Sequence, residues 1–480
     1  ELLDIRSVPN KELQVLEFLG DMVVNQHKTK AGTFNAPSIP AVDKSKIAGL
    51  YGTKQIYGAI YNNSQKLKPY LPMEDNVKDF FDTGVRYNNS ISFNGATDKS
   101  DYFVSFSQIA DDGMIPTDAD SYDKYTFSAR GSHTTGKLTF SSSLNYANQQ
   151  NSFASTGQKE SSMYNAIMQT PRDISIIGLK DLNDPFNTPG YYYTPYGITN
   201  PYWVLENYKN EYSSERFYGK FQFDYDILKN LKFTYRLGLD TEVNQYEFGS
   251  PNLVALFSDT YNGLNGASTF DGNEGSVSQS MNRRMELNHD IMLNYNTKIS
   301  DFSVNVLAGF NGNERSSRGL GAGVSRLTIP TWYDLSNSTS APSVSQSTSK
   351  RRLLGAYAQF EGSYKDIFFL TVSARNDWSS TLPKENRSFF YPGVTGSFVF
   401  SDLMQDQEDW LDLGKIRASW GKTGNDASPY MTNAVYAQAG GSGYWGSYNF
   451  PYTGAGYNAY TLGNTLGSMT LSPEMTTEFE

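Results

Sequence analysis

The sequence predicts an all-β fold, a transmembrane antiparallel β-barrel, on three observations. Segments of strictly alternating apolar and polar residues recur along most of the chain. Their connections alternate between very short and very long. No run approaches the roughly 18 apolar residues that a membrane helix needs.

Composition is compatible with that reading. Hydrophobic residues make up 38% of the 480 positions, and the mean hydropathy is −0.52. In a barrel strand only every second residue meets lipid, so an average of this kind does not exclude a membrane wall. The chain holds 34 Tyr and 29 Phe, which favour strands and mark barrel rims. Cysteine is absent, which excludes disulfides, thiolate metal sites and a Cys nucleophile. With a net charge of −10 and no basic stripe, no nucleic-acid partner is expected.

The clearest strands are neighbours. Phe217, Gly219, Phe221, Phe223 and Tyr225 alternate with Tyr218, Lys220, Gln222, Asp224 and Asp226. After a turn at Leu228-Lys229-Asn230, Leu231, Phe233, Tyr235, Leu237 and Leu239 alternate with Lys232, Thr234, Arg236, Gly238 and Asp240. The same pattern runs through 302–310, 356–364, 368–375, 394–400 and 416–420, and earlier around Ile91, Tyr102, Tyr125 and Leu138. About twelve strands are recognisable, each near the roughly 9–11 residues that a tilted strand needs to cross a bilayer. Short turns fall near 97–100, 132–136, 228–230, 298–301 and 365–366. Long loops fall near 110–123, 148–213, 244–280, 313–350 and 379–389, and only 402–412 breaks the alternation, at medium length. Barrels of outer membranes have short periplasmic turns and long outer loops. Residues 88–480 are therefore read as barrel strands, and 1–87 as the start of the barrel region without a clear assignment. Leu13–Val24 reads as a short helix or a strand, and 76–83 as a helical turn. Residues 161–170 read as a helix ending before Pro171.

Chemical motifs are few. His27, His133 and His289 are isolated, and His289 sits on an apolar strand face, so no metal site is marked. Gly421-Lys422-Thr423 lacks the glycine that a phosphate loop needs at Ile416, and Gly319–Val324 lacks the final glycine of a dinucleotide loop. No cofactor and no catalytic constellation are expected. The loops do carry aromatic clusters: Tyr191, Tyr192, Tyr193, Tyr196, Tyr202 and Trp203 in one, and Tyr444, Trp445 and Tyr448 in another. Such rings suit stacking on sugars or peptide side chains, and equally suit a core for the loops themselves. Lys220, Gln222, Asp224, Lys232, Arg236, Glu361 and Arg375 are the expected lumen-facing residues, because their neighbours in sequence face lipid.

Several segments resemble the barrel of SusC/RagA-type TonB-dependent outer-membrane transporters. They are 356–382 with its Arg375-Asn376-Asp377-Trp378, 388–400, and 415–426 with Trp420-Gly421-Lys422-Thr423-Gly424-Asn425-Asp426. Asn89–Gly95, Asn200-Pro201-Tyr202-Trp203 and 471–478 carry the likeness further, so that it covers most of 76–480. The resemblance implies a 22-stranded barrel in the outer membrane of a Gram-negative cell, closed by an N-terminal plug. It also implies energy from TonB, a SusD-like surface lipoprotein as lid, and an oligosaccharide as the expected cargo, with an oligopeptide as the alternative. No plug or TonB-contacting segment is recognised here. Glu1-Leu2-Leu3-Asp4 does not look like a start, and the last residues stop within an alternating segment, so an internal piece of a longer chain is expected. The rival readings are a soluble secreted β-protein that binds or cleaves glycans, and a passive porin or adhesin.

Overall fold

The computed structural model describes 54–61, 64–69 and most of 72–480. Residues 156–161, 185–186, 190–198, 258–272, 404–410, 412, 444–445 and 451–455 lie outside the description, as does Leu13–Val24. Strands β1 (Lys54–Tyr61) and β2 (Ser64–Pro69) form an antiparallel pair of their own. A 3₁₀ turn at Lys78–Phe80 then meets the expectation for 76–83.

The main body is a single antiparallel sheet of 13 strands. It runs through β3 (Val85–Ala96), β4 (Ser100–Asp112), β5 (Ser121–Thr135), β6 (Leu138–Ser152) and β7 (Lys209–Leu228). It continues through β8 (Leu231–Asn252), β9 (Glu274–Ile299), β10 (Phe302–Ser325) and β11 (Ser343–Tyr364). It ends with β12 (Phe368–Ser379), β13 (Ser388–Val399) and β14 (Lys415–Asn425). Each strand pairs with the next. After two small hairpins, β15 (Tyr436–Gln438) with β18 (Tyr460–Leu462) and β16 (Gly440–Gly443) with β17 (Gly446–Asn449), strand β19 (Glu474–Phe479) pairs with β14. The short connections are as tight as expected. Lys365 and Asp366 both take positive φ, 54° and 56°, the backbone that joins two right-twisted strands.

The strands outrun their expected limits. The connection predicted at 244–280 shrinks because β8 extends to Asn252 and β9 starts at Glu274, and the one at 313–350 shrinks because β10 extends to Ser325 and β11 starts at Ser343. At 26 residues β9 is far longer than a bilayer crossing requires. The added lengths, such as Ser343-Val344-Ser345-Gln346-Ser347, are mostly polar with only scattered apolar residues, so regular alternation fades where no lipid is met and the sequence there looks like loop.

Register turns alternation into two surfaces. One row, on one face, joins Asp101, Ser132, Ser141, Gln222, Arg236, Asp290, Asn311, Gly355 and Asp377 from β4 to β12. The next row, on the opposite face, includes Phe140, Phe223, Tyr235, Ile291, Phe310 and Ala356. Apolar side chains on that face stay exposed, among them Phe140, Phe221, Ile291, Phe310, Leu370 and Ile416. A face of this kind is a surface for lipid. At the short-turn end Phe368 stacks on Phe398 at 4.8 Å and Phe302 meets Tyr364 at 4.6 Å. At the other end of the band lies Trp378 on β12. Ten residues separate Phe368 from Trp378. That is about 33 Å of strand, or roughly 25 Å of height at the usual barrel tilt, the thickness of the apolar band of an outer-membrane barrel.

Val372 lies near the middle of this band and Thr371 on the polar face beside Glu361. In denaturant titrations of the full-length protein in lipid vesicles, Val372→Arg is expected to cost about 2–4 kcal/mol and Thr371→Arg under about 1 kcal/mol. Equal costs would contradict the assignment of faces.

Candidate functional site

All seven residues expected to face the lumen share the polar face. Arg236 donates from Nε to Gln222 Oε1 at 2.9 Å, Gln222 donates to Asp224 Oδ2 at 2.8 Å, and Thr234 donates to Asp224 Oδ1 at 2.5 Å. Glu361 accepts from Asn305 at 3.1 Å and from Gln359 at 2.5 Å. Arg375 binds Asp377 Oδ1 at 2.8 Å, and its guanidinium lies 5.4 Å from the centre of the Tyr357 ring. Lys232 approaches Asp226 only at 3.9 Å, and Lys220 is exposed.

Between these groups lies a network that the sequence reading did not single out. Asn311 donates to Asp290 Oδ1 at 2.8 Å and to Asn288 at 3.0 Å, and Asn288 donates to Asp290 Oδ2 at 2.9 Å. Asn313 donates to Glu286 at 2.7 Å, and Arg315 pairs with the same carboxylate at 3.1 Å. Its signal was present in the sequence: Asn288 and Asp290 flank His289 just as Gln222 and Asp224 flank Phe223. His289 itself lies on the apolar face, where its Nδ1 is 2.9 Å from the Tyr235 hydroxyl. No group of three metal-ligating side chains occurs among the described residues.

The long-loop end has small cores of its own. The segment between β6 and β7 holds helix α1 (Met163–Gln169), capped by Ser162, and helix α2 (Pro201–Asn207). Asn200 is fully buried. Its side-chain oxygen accepts from the Tyr202 amide at 3.0 Å, and its Nδ2 donates to the carbonyls of Leu179 and Asn187 at 2.8 and 2.7 Å. Pro201 fills the first helical position, where its missing N–H costs nothing. Tyr202 packs with Phe80, Met163 and Ile176, while Trp203 packs on Leu253. Both rings are 6% exposed, so they form the loop core and present no face to a substrate, contrary to the binding role expected of them. Tyr191, Tyr192, Tyr193, Tyr196, Tyr444 and Trp445 lie outside the described residues, as does the side chain of Tyr448. Tyr333 ties a second loop to this core. Its ring packs over Gly249, where an added Cβ would come within 2.5 Å, and its hydroxyl donates to the Asn207 carbonyl, with burial pushing the phenol up.

No family model matches the chain. Two TonB-dependent receptors of Formosa agariphila do: P26, 25% identical over 374 residues, and P3, 23% identical over 378 residues. They cover 74% and 75% of this chain, but the chain spans only 34% and 36% of their length. Among solved structures, the RagAB peptide transporter superposes with a TM-score of 0.70 at 17% identity, over 99% of this chain and 50% of that one. The RagAB importer in its open-open state gives 0.66. The chain has the fold of a TonB-dependent outer-membrane barrel wall and resembles the SusC/RagA type. This wall lies in the outer membrane, with the polar row turned away from lipid.

The two motifs that carry the resemblance most specifically now have physical roles. In Arg375-Asn376-Asp377-Trp378, the residues at odd positions turn inward and Trp378 marks the lipid boundary. Asp377, 3% exposed, accepts from both Arg375 and the Tyr391 hydroxyl. In Gly424-Asn425-Asp426 the aspartate reaches past two strands to Arg351 on β11, at 2.5 and 2.8 Å, and also accepts from Ser379 and Thr381. Burial alone would raise its carboxyl. The hydrogen bonds from Ser379 and Arg351 outweigh that and hold it below the usual carboxylate range.

Asn200→Ala leaves two buried carbonyls and a helix amide without partners. It is expected to destabilise the loop by about 2–4 kcal/mol, read as faster proteolysis between β6 and β7. Because folding lowers the Asp426 pKa, its stabilisation is complete above the unfolded value of about 3.9 and is lost as pH falls through the folded value. Hydrogen exchange around 426–430 should therefore stay slow from neutral pH down to about pH 4. Asp426→Asn should accelerate it throughout that range.

Proposed function

We propose that the full-length protein actively imports a large oligomeric nutrient across the outer membrane, energised through TonB and lidded by a SusD-like surface lipoprotein. The observation that carries this reading is the continuous polar row on nine strands, backed by the Asp290–Asn311 and Asp377–Arg375 networks. A wall that only held lipid away from a narrow pore would not need hydrogen-bonding groups fixed so tightly against each other. Such groups suit contact with a polar plug and with a passing cargo rich in donors and acceptors.

Two observations bear on the cargo. Aromatic clusters in the loops suit sugars and peptide side chains alike, and Tyr202 and Trp203 are withdrawn from that set by burial. The likeness to a peptide transporter favours an oligopeptide. Growth of a deletion strain on defined oligosaccharides or defined peptides separates the two. The expected result is loss of growth on one polymer class, restored by the intact gene and abolished by collapse of the proton gradient. Uptake that survives the collapse would contradict active import and support a passive pore.

A further inference from the structure

Just above the lipid band, on its outward face, the wall carries a concentrated positive charge. Rising from Gly312 to Ala322, the outward positions of β9, β10 and β11 hold Arg283, Arg318, Lys350 and Arg352, against one carboxylate, Glu314. This stands on a chain of net charge −10. Glu314 is shared by Lys350 at 2.8 Å and Arg352 at 2.6 Å. Arg283 and Arg318 face each other directly across the β9–β10 pair, both are exposed, and neither has an ion-pair partner among the described residues. The nearest other outward carboxylate, Glu215, stands two strands away on β7, across Val243. Like charges directly opposite in a sheet repel. An arginine pair in that position is explained by an anion held between the two side chains.

The patch has the position of a lipid headgroup site. Leu354 and Trp378, at the upper edge of the band, pair with each other one row below Arg352. Leu287 and Met285 lie below Arg283 and Met281 above it on the outward face of β9, so apolar surface continues on both sides of that cation. Long basic side chains lie along such surface while their charged ends stay in the polar interface. Arginine forks bind phosphate oxygens two at a time. We infer that this outward patch binds the phosphate of a phosphorylated glycolipid in the outer leaflet, with Arg283 and Arg318 as its principal grips and Lys350 and Arg352 at its edge.

The test uses the full-length receptor in neutral detergent, offered phosphatidylcholine vesicles doped with diphosphorylated lipid A, the same vesicles doped with its dephosphorylated form, or inorganic phosphate alone. The expected result is retention of the phosphorylated lipid. Retention should weaken roughly tenfold or more in the combined Arg283→Gln, Arg318→Gln, Lys350→Gln, Arg352→Gln variant. A second variant, Arg283→Gln with Arg318→Gln, keeps both ion pairs to Glu314 and guards against a failure to assemble. Without lipid it should unfold at a higher temperature than the parent, because a repulsion is removed, and with lipid A it should gain less. Equal retention by parent and variants, equal retention of the dephosphorylated lipid, stabilisation by inorganic phosphate alone to the same extent, or occupation of the patch by an acidic protein in place of lipid would each overturn the assignment.

Discussion

Backbone hydrogen bonding in a medium without water is the constraint on which this structure rests. An N–H or C=O left unpaired in hydrocarbon costs several kcal/mol, so strands must pair with neighbours along their whole membrane height. Once they do, pleating divides each strand into one face for lipid and one for the interior. The register of β7 to β12 propagates that division without interruption, apart from one irregularity at the turn beside Leu228. Nearly every other feature follows from it. Phe310 can be exposed because it meets lipid, and Asn311 beside it can be almost buried because Asp290 and Asn288 receive its amide.

The same constraint explains what could be read from the sequence. Where both media act on a strand, the residues report it: Phe221-Gln222-Phe223-Asp224-Tyr225 states the face of each residue. That the seven residues share one polar face was legible for that reason, and so was the place of His289 on the apolar face. Where the strand rises out of the bilayer, water lies on both sides and nothing enforces alternation. The tops of β8 to β11 therefore resembled loops. Tyr202 and Trp203 failed in a different way. An aromatic pair in a long segment reads equally as ligand platform or loop core, and only the buried Asn200, which caps α2 and binds two distant carbonyls, decides for the core.

Cross-strand reach is the remaining layer, and it is invisible to local pattern. Asp426 stabilises Arg351, Ser379 and Thr381, all at least 45 residues away in sequence. Arg283 and Arg318 become a like-charged pair only through the register of β9 with β10. The motif residues that carry the resemblance thus gain an account in terms of contacts: they fasten the upper part of the polar face to the loops above it. The outward cations, by contrast, concern the lipid side of the same wall.

The division into two faces can be measured directly along one strand. The chain has no cysteine, so single spin-labelled cysteines can be placed at 368–375 of β12 in the full-length protein, reconstituted in vesicles. Collision rates with oxygen, which concentrates in lipid, should peak at Phe368, Leu370, Val372 and Ala374 and fall at Phe369, Thr371, Ser373 and Arg375. A flat profile, or one with the opposite phase, would contradict the account.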